Sequence, residues 1–292
     1  MVVDPWLDHT PIRLLGPDDL AARIDAESAD IVICEADVCS GPVFERSLRV
    51  IGSTRGDPTN VDVDGATQAG IPVVHAPGRN ADAVAEMTVA LLMALSRGVV
   101  PGHRDMVRGT VFGETLPYQR YRAWQVAGRT AGLVGLGAVG QATRWRLEGL
   151  GMDVIAADPY RADATHDLDD LLATADVVSM HAAVTPETFG MINEEKFALM
   201  KPGALYLNSA RAGLHDVDAL VGALESGHLG GAALDHVDGE VLPPDHPLLA
   251  MDNVVLTPHI GGATFDVETR QTEMIVADVL AILAGEKPLH CA

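Results

Sequence analysis

The sequence predicts an α/β protein built on a doubly wound parallel sheet. Three observations carry that prediction. From Thr130 onward, apolar runs of strand length alternate with helical stretches. A glycine turn, Gly135-Leu-Gly-Ala-Val-Gly140, separates the first run from its helix. The second run, Met152–Ala157, ends on an acid, Asp158, 18 residues past Gly140. Apolar strands alternating with helices imply a parallel sheet covered on both faces. In G-x-G-x-x-G the first glycine permits a tight turn, the second lets backbone approach a pyrophosphate, and the third lets helix and strand pack closely. The helix N-terminus adds free N–H groups and a positive dipole end. Glycine turns without a ligand are common; an acid at the position of Asp158, where a ribose diol would be held, favours the dinucleotide reading.

The elements follow in chain order. Ile31–Cys34 and Leu48–Gly52 read as buried strands. A helix spans Asp62 to Gln68, with Gly70 as its stop. Ile71–His75 is a strand, and Pro72 puts it at an edge or strand start. Pro77–Asn80 is a turn. Ala81 to Arg97 is the clearest helix, apolar on more than one face and ended by Gly98. Residues 99–129 show no clear periodicity. Then come strand 130–134, helix 139–149, strand 153–157, helix 167–173, strand 177–180 and helix 194–199. Strand 204–207, helix 216–225, strand 231–234 and strand 253–256 follow, and a long amphipathic helix over 264–284 is stopped by Gly285.

The formal charge is −21. Such a surface repels nucleic acid and anionic membranes. The three cysteines, Cys34, Cys39 and Cys291, form no C-x-x-C pair, so no metal is expected and reduced thiols are. Asp4 and Asp8 interrupt the opening residues, which argues against a signal peptide, and the longest apolar stretch, Met87 to Leu95, is too short to span a bilayer. A cytoplasmic protein is expected.

Ligands of such sheets bind at the carboxyl ends of the strands. That rule selects Asp158, His181, Asn208-Ser-Ala-Arg211, Asp235 and Thr257-Pro-His259. Arg211 can grip a carboxylate with its planar fork and polarise a neighbouring carbonyl. His259, beside Ile-Gly-Gly262, can approach a ligand closely. Glu240 lies in a proline-containing loop, where a solvated charge is the plain alternative. Each of these residues has such an alternative singly; their shared place in the architecture is the argument.

With these motifs in hand, the chain resembles the D-isomer-specific 2-hydroxyacid dehydrogenases, the superfamily of phosphoglycerate, glycerate and hydroxypyruvate dehydrogenases. The resemblance rests on Asn60-Val-Asp-Val63, Gly78-Arg-Asn80 with Ala85-Glu86, Gly135–Gly140, Asp158-Pro159, Thr185-Pro-Glu-Thr188, Asn208–Arg211, Leu234-Asp235, Glu240 and Thr257–Gly262, from about Leu48 to the C-terminus. It implies two Rossmann-like domains: a discontinuous, smaller flavodoxin-like substrate domain (1–96 and 264–292) and an NAD-binding domain (97–263), with a homodimer formed through the latter. Arg211, Glu240 and His259 are the implied catalytic residues. Arg211 would hold the substrate carboxylate, His259 would be the acid/base, and Glu240 would favour its charged form. Implied cofactor contacts are Gly135, Gly137, Ala138, Val139, Gly140, Asp158, His181, Ala182, Ser209, Ala210, Arg211, Asp235, His259, Gly261 and Gly262. Asp235 would hold the nicotinamide carboxamide, and Asp158 would favour NAD over NADP. Substrate would meet Ser53, Thr54, Arg55 and Gly56 as well as Arg211 and His259.

The chain departs from the family pattern at Ala212, Val241, His75, His236 and Ala182, which bears on substrate preference more than on catalysis. The resulting expectation is an NAD-dependent interconversion of a D-2-hydroxy acid and its 2-oxo acid, of the phosphoglycerate dehydrogenase kind. The alternative is an NAD(H)-sensing interaction protein of corepressor type with little turnover. Arg55, Arg79, Arg120 and Arg122 are the candidate cations for a phosphorylated substrate.

Overall fold

The computed structural model describes residues 1–5, 8–112 and 115–292. The chain divides into two compact units, Met1–Asn80 with Thr264–Ala292, and Ala81–Ala263.

In the first unit, α1 (Pro17–Glu27), β1 (Ile31–Cys34), β2 (Val50–Ser53), α2 (Val63–Gln68) and β3 (Val73–Val74) are joined by α10 (Phe265–Leu283) from the far end of the chain. The three strands are parallel and stand side by side in chain order. One core gathers Leu20, Ala21 and Ile24 of α1 with Val32, Ile51 and Val73. The other packs Ile275 and Val279 of α10 on Val50 and Val74. The end of the chain then runs antiparallel along β3, pairing Cys291 with Val74. β3 thus has β2 on one side and this C-terminal bridge on the other, and Pro72 stands just before its first residue, the strand start that the sequence reading allows.

The second unit holds α3 (Ala81–Ser96), α4 (Val99–Arg108), α5 (Pro117–Arg120), β4 (Thr130–Val134), α6 (Ala138–Gly149), β5 (Asp153–Ala157), α7 (Leu168–Thr174), β6 (Val177–Met180), α8 (Glu194–Leu199), β7 (Leu205–Asn208), α9 (Val217–Glu225), β8 (Gly231–Leu234) and β9 (Val254–Leu256). Its described strands form one parallel sheet in the order β5-β4-β6-β7-β8-β9. The order reverses beside β4, between β5 and β6, which opens a crevice at the carboxyl ends of β4 and β6. Both faces are covered. Leu171, Phe197, Leu220 and Leu224 pack on one, and Leu91, Leu92 and Leu147 on the other.

Two differences from the sequence reading have physical causes. Helix α3 belongs to the second unit rather than the first, because Leu91 and Leu92 bury against Leu133, Leu207 and Ala233 of its sheet. The chain divides at residue 80, not 96. Helices α1 and α4 were also not foreseen. In α1 only Leu20, Ala21 and Ile24 are buried, too short a stripe to show a period. In α4, Pro101 and Gly102 look like breakers; Pro101 sits in the first turn, where a missing N–H leaves no intrahelical bond unmade.

Candidate active site

The glycine turn follows β4. Gly135 has φ 96°, and a Cβ there would lie 2.6 Å from the Ala182 nitrogen. A Cβ on Gly140 would run into the Gly135 carbonyl oxygen. Neither position admits a side chain. Gly137 differs: no atom lies within 4 Å of where its Cβ would be, and it caps α6 with no side chain on the helix N–H groups. Gly137 and Ala138 are exposed, and Val139 is half-buried. A bare helix N-terminus facing open space fits a pyrophosphate.

Asp158, at the end of β5, accepts hydrogen bonds from the Leu136 N–H (2.7 Å) and the Tyr160 N–H (2.9 Å). The acid therefore also shapes the turn, and its remaining lone pairs are those that suit a ribose diol. Arg161, the residue that would otherwise favour a 2′-phosphate, is engaged by Asp163 at 2.9 Å. On the other wall of the crevice, the His181 N–H donates to the Val134 carbonyl, and Nε2 lies 2.9 Å from Ser179 Oγ. Burial pushes the His181 pKa down to about 4. Ala182 beside it is half-buried.

β7 ends in a loop held by Asn208. Its Oδ1 accepts from the N–H groups of Ala210 (3.0 Å) and Arg211 (3.2 Å), while Nδ2 donates to the Arg211 carbonyl (2.8 Å) and to His215 Nδ1 (3.0 Å). Burial lowers the His215 pKa to about 4, which keeps that ring a neutral acceptor. Arg211 leaves this loop exposed. Its Nη1 donates to the Ala210 carbonyl at 2.6 Å, and Nε and Nη2 make no hydrogen bond to the described residues. Half of the guanidinium fork is thereby left to face a ligand.

The segments after β8 and β9 bring Glu240 and His259 together. Asp235, fully buried, accepts from Thr257 Oγ1 (2.6 Å) and the Ile260 N–H (3.0 Å) on one oxygen and from the Gly261 N–H (2.7 Å) on the other. Its carbonyl also accepts from the His259 N–H at 2.8 Å. This clamp holds His259 at φ 54°, a conformation few non-glycine residues adopt. His259 Nδ1 lies 2.8 Å from Glu240 Oε1, and both side chains are about half exposed. Glu240 too has positive φ, 64°. The ring of His236 lies against that of His259, centroids 3.7 Å apart.

Arg211 and His259 follow strand ends, and Glu240, from the loop after β8, meets His259 at the same edge of the sheet. Three expected cofactor contacts turn inward instead. Ser209 is buried, with its hydroxyl 2.7 Å from Thr88 of α3. Asp235 spends both carboxylate oxygens on the Thr257–Gly261 turn. Gly261 is buried, and a Cβ there would crowd Asp235 Oδ2 at 2.8 Å. Ala210 and Gly262 stay half-buried at the edge. Asn208 and Thr257, which the strand-end rule selects without a role of their own, hold the loops that carry Arg211 and His259.

In the first unit, the loop after β2 is tied to its own surroundings. Ser53 is fully buried and donates to Asn60 Oδ1 at 2.7 Å, so its side chain does not face a substrate. The Thr54 N–H is taken by the Cys34 carbonyl. Arg55 donates to the Glu35 carbonyl (2.7 Å) and Thr59 (2.8 Å). The Gly56 carbonyl accepts from His75 Nδ1 at 2.9 Å. Arg79 is paired with Glu35 at 2.9 Å and bonded to Gln271. Among the described residues no cluster of His, Cys, Asp and Glu is arranged to hold a metal, and no single helix is long and apolar enough to cross a membrane.

Residues 89–261 match the family model described as D-isomer specific 2-hydroxyacid dehydrogenase, NAD binding domain. A glyoxylate reductase of Thermofilum pendens is 39% identical over 251 residues, covering 83% of this chain and 74% of that protein. A D-3-phosphoglycerate dehydrogenase of Archaeoglobus fulgidus is 36% identical over 248 residues, which is 82% of this chain; the match spans about half, 46%, of that relative's length. The NAD-complexed D-isomer specific 2-hydroxyacid dehydrogenase of Lactobacillus delbrueckii ssp. bulgaricus superposes with a TM-score of 0.83 at 28% identity, covering 93% of this chain and 89% of that one. These matches, with the glycine turn, Asp158 and the grouping of Arg211, Glu240 and His259, place the chain in the D-isomer-specific 2-hydroxyacid dehydrogenase family, whose members interconvert hydroxy and oxo acids with NAD.

Proposed function

We propose that this chain reduces a short, unphosphorylated 2-oxo acid, with Arg211 as carboxylate anchor, His259 as proton donor and Glu240 as its orienting partner. The supporting observation is the 2.8 Å contact of Glu240 with His259 Nδ1 on the same sheet edge as Arg211. A carboxylate only accepts, so Nδ1 carries the proton and Nε2 is the nitrogen that exchanges one with substrate. When bound, NAD(H) supplies or takes the hydride at C2. Gly135, Gly137, Ala138, Val139 and Gly140 receive its pyrophosphate, Asp158 its ribose, and His181, Ala182, Ala210 and Gly262 border it. The free side of the Arg211 guanidinium binds the acid's carboxylate. His259 gives the Nε2 proton to the carbonyl oxygen during reduction and recovers it during oxidation, while Glu240 holds Nδ1 and orients the ring.

The preference for an unphosphorylated acid is supported by how three of the four candidate cations are spent. Arg55 and Arg79 are occupied by Glu35, Thr59 and Gln271, and Arg120 is paired with Asp105 at 2.8 Å. A panel of glyoxylate, hydroxypyruvate, pyruvate and 3-phosphohydroxypyruvate, each with NADH and NADPH, tests this reading. Fastest turnover is expected on glyoxylate or hydroxypyruvate with NADH. Preference for 3-phosphohydroxypyruvate overturns the substrate class, and NADH binding without turnover on any acid would favour the sensor.

The same reading includes a homodimer. Helix α4 is inverted: Asp105 is its only buried residue, while Val99, Val100, Met106 and Val107 are exposed. Phe112, Leu116, Tyr118 and Trp124, which follow in sequence, are exposed as well. A second copy of the chain covering these residues is expected, and Val107→Asp should shift the sedimenting species from dimer to monomer. A cytoplasmic location is supported by the free thiols of Cys34 and Cys39, which face each other at 3.5 Å.

A further inference from the structure

His236, the residue after the Asp235 clamp, is 5% exposed and touches both groups assigned to the reaction. Its Nε2 lies 3.4 Å from Arg211 Nη1, at the long end of hydrogen bonding. Its ring lies 3.7 Å from that of His259, the planes tilted by 52°. A guanidinium only donates, so Nε2 is the lone-pair nitrogen and the ring proton sits on Nδ1. That Nδ1 is buried and has no partner among the described residues. A buried, unpaired N–H weakens a fold, and an apolar side chain here would avoid the loss. The position is nevertheless filled by a side chain able to accept from Arg211.

We propose that His236 is a positioning residue: a neutral imidazole that holds the Arg211 guanidinium and the His259 ring in one fixed mutual geometry. The proposal rests on the reading of Arg211 and His259 given above. Arg211 has four rotatable side-chain bonds, and among the described residues its guanidinium meets its own loop's Ala210 carbonyl and His236. His259 Nδ1 is held by Glu240, and the His236 face limits the swing of its ring. Protonation of His236 would set it against both neighbours. Burial, with His259 and Arg211 adding to it and Asp235 and Glu240 opposing it, holds its pKa down to about 4, so it remains an acceptor at neutral pH.

The test is steady-state reduction of the fastest acid in the panel, with glyoxylate as the expected probe, by the wild type and by His236→Val, His236→Leu, His236→Gln and Arg211→Lys. NADH affinity and melting temperature are measured alongside. His236→Val should fold and bind NADH within about twofold of wild type, while KM for the acid rises about tenfold or more and kcat falls severalfold. His236→Leu, closer in volume, should behave alike and stands in if the valine variant does not fold. His236→Gln, whose Oε1 can accept from Arg211, should return KM to within about threefold of wild type. Unchanged KM in both apolar variants overturns the proposal. So does a glutamine variant as impaired as they are while its fold and NADH affinity are intact. Arg211→Lys with wild-type KM and kcat, or no turnover on any acid, removes the underlying reading and the proposal together. Loss of activity in Arg211→Lys with unaffected His236 variants removes the proposal alone.

Discussion

His259 and Glu240 both occupy left-handed backbone conformations and meet at 2.8 Å. Strain of that kind persists only where surrounding bonds over-determine it, and at His259 the Asp235 clamp does so. His259→Gln keeps the backbone clamp but removes the titratable proton. Its kcat should fall by about 10²–10⁴-fold, the usual worth of a positioned acid/base, with NADH affinity unchanged; near-normal turnover would remove His259 from the chemistry. Glu240→Gln keeps an acceptor and loses the charge, so a smaller loss of about 10–100-fold is expected in the same assay. His259 was legible because strand ends mark ligand sites in parallel sheets, whereas Glu240, in a loop, was reached only through the family resemblance. The inward turn of Ser209, Asp235 and Gly261 was not legible, since position along a strand does not say where a side chain finds its partner. Ser209 finds Thr88, 121 residues away in sequence, and Asp235 finds a turn more than 20 residues downstream.

Elements with a strong period were legible; those whose apolar face is short or turned outward were not. The strands of the second unit and α3 stand within a few residues of their sequence positions because their burial is continuous. Helix α4 hid because its apolar residues point away from its own core. The glycine turn was legible as a pattern, and the structure separates the parts its glycines play. Gly137→Ala should leave the melting temperature unchanged, since nothing lies within 4 Å of the added carbon and φ is −71°. It should still weaken NADH binding by about tenfold or more, because the methyl takes the space a pyrophosphate needs. Gly140→Ala should lower both melting temperature and NADH affinity, because its methyl meets the Gly135 carbonyl, a backbone atom that cannot rotate away. NADH titration by fluorescence, paired with thermal melts, distinguishes the two. Equal losses of stability in both variants would refute this division of labour.

At the scale of the whole molecule, the net charge of −21 would suggest that stability improves as acid is added and self-repulsion falls. Three histidines, His215 and His236 buried and His181 half-buried, oppose that trend. His181, His215 and His236 are each pushed down to about 4 by burial, against about 6.5 in an unfolded chain. Between those values the unfolded chain binds protons that the native state refuses, so acid favours unfolding. The stability is fully present above about pH 6.5 and is lost as pH falls toward 4, by roughly 1–3 kcal/mol for each ring. Most carboxylates are still ionised through much of this window, so relief of repulsion comes later. The melting temperature should therefore fall steadily from pH 7 to 4.5 despite the shrinking net charge. His181→Asn should flatten part of that slope, because the replacement cannot take up a proton in either state. A melting temperature that stays level or rises over the same range would show that the buried rings accept protons without loosening the fold.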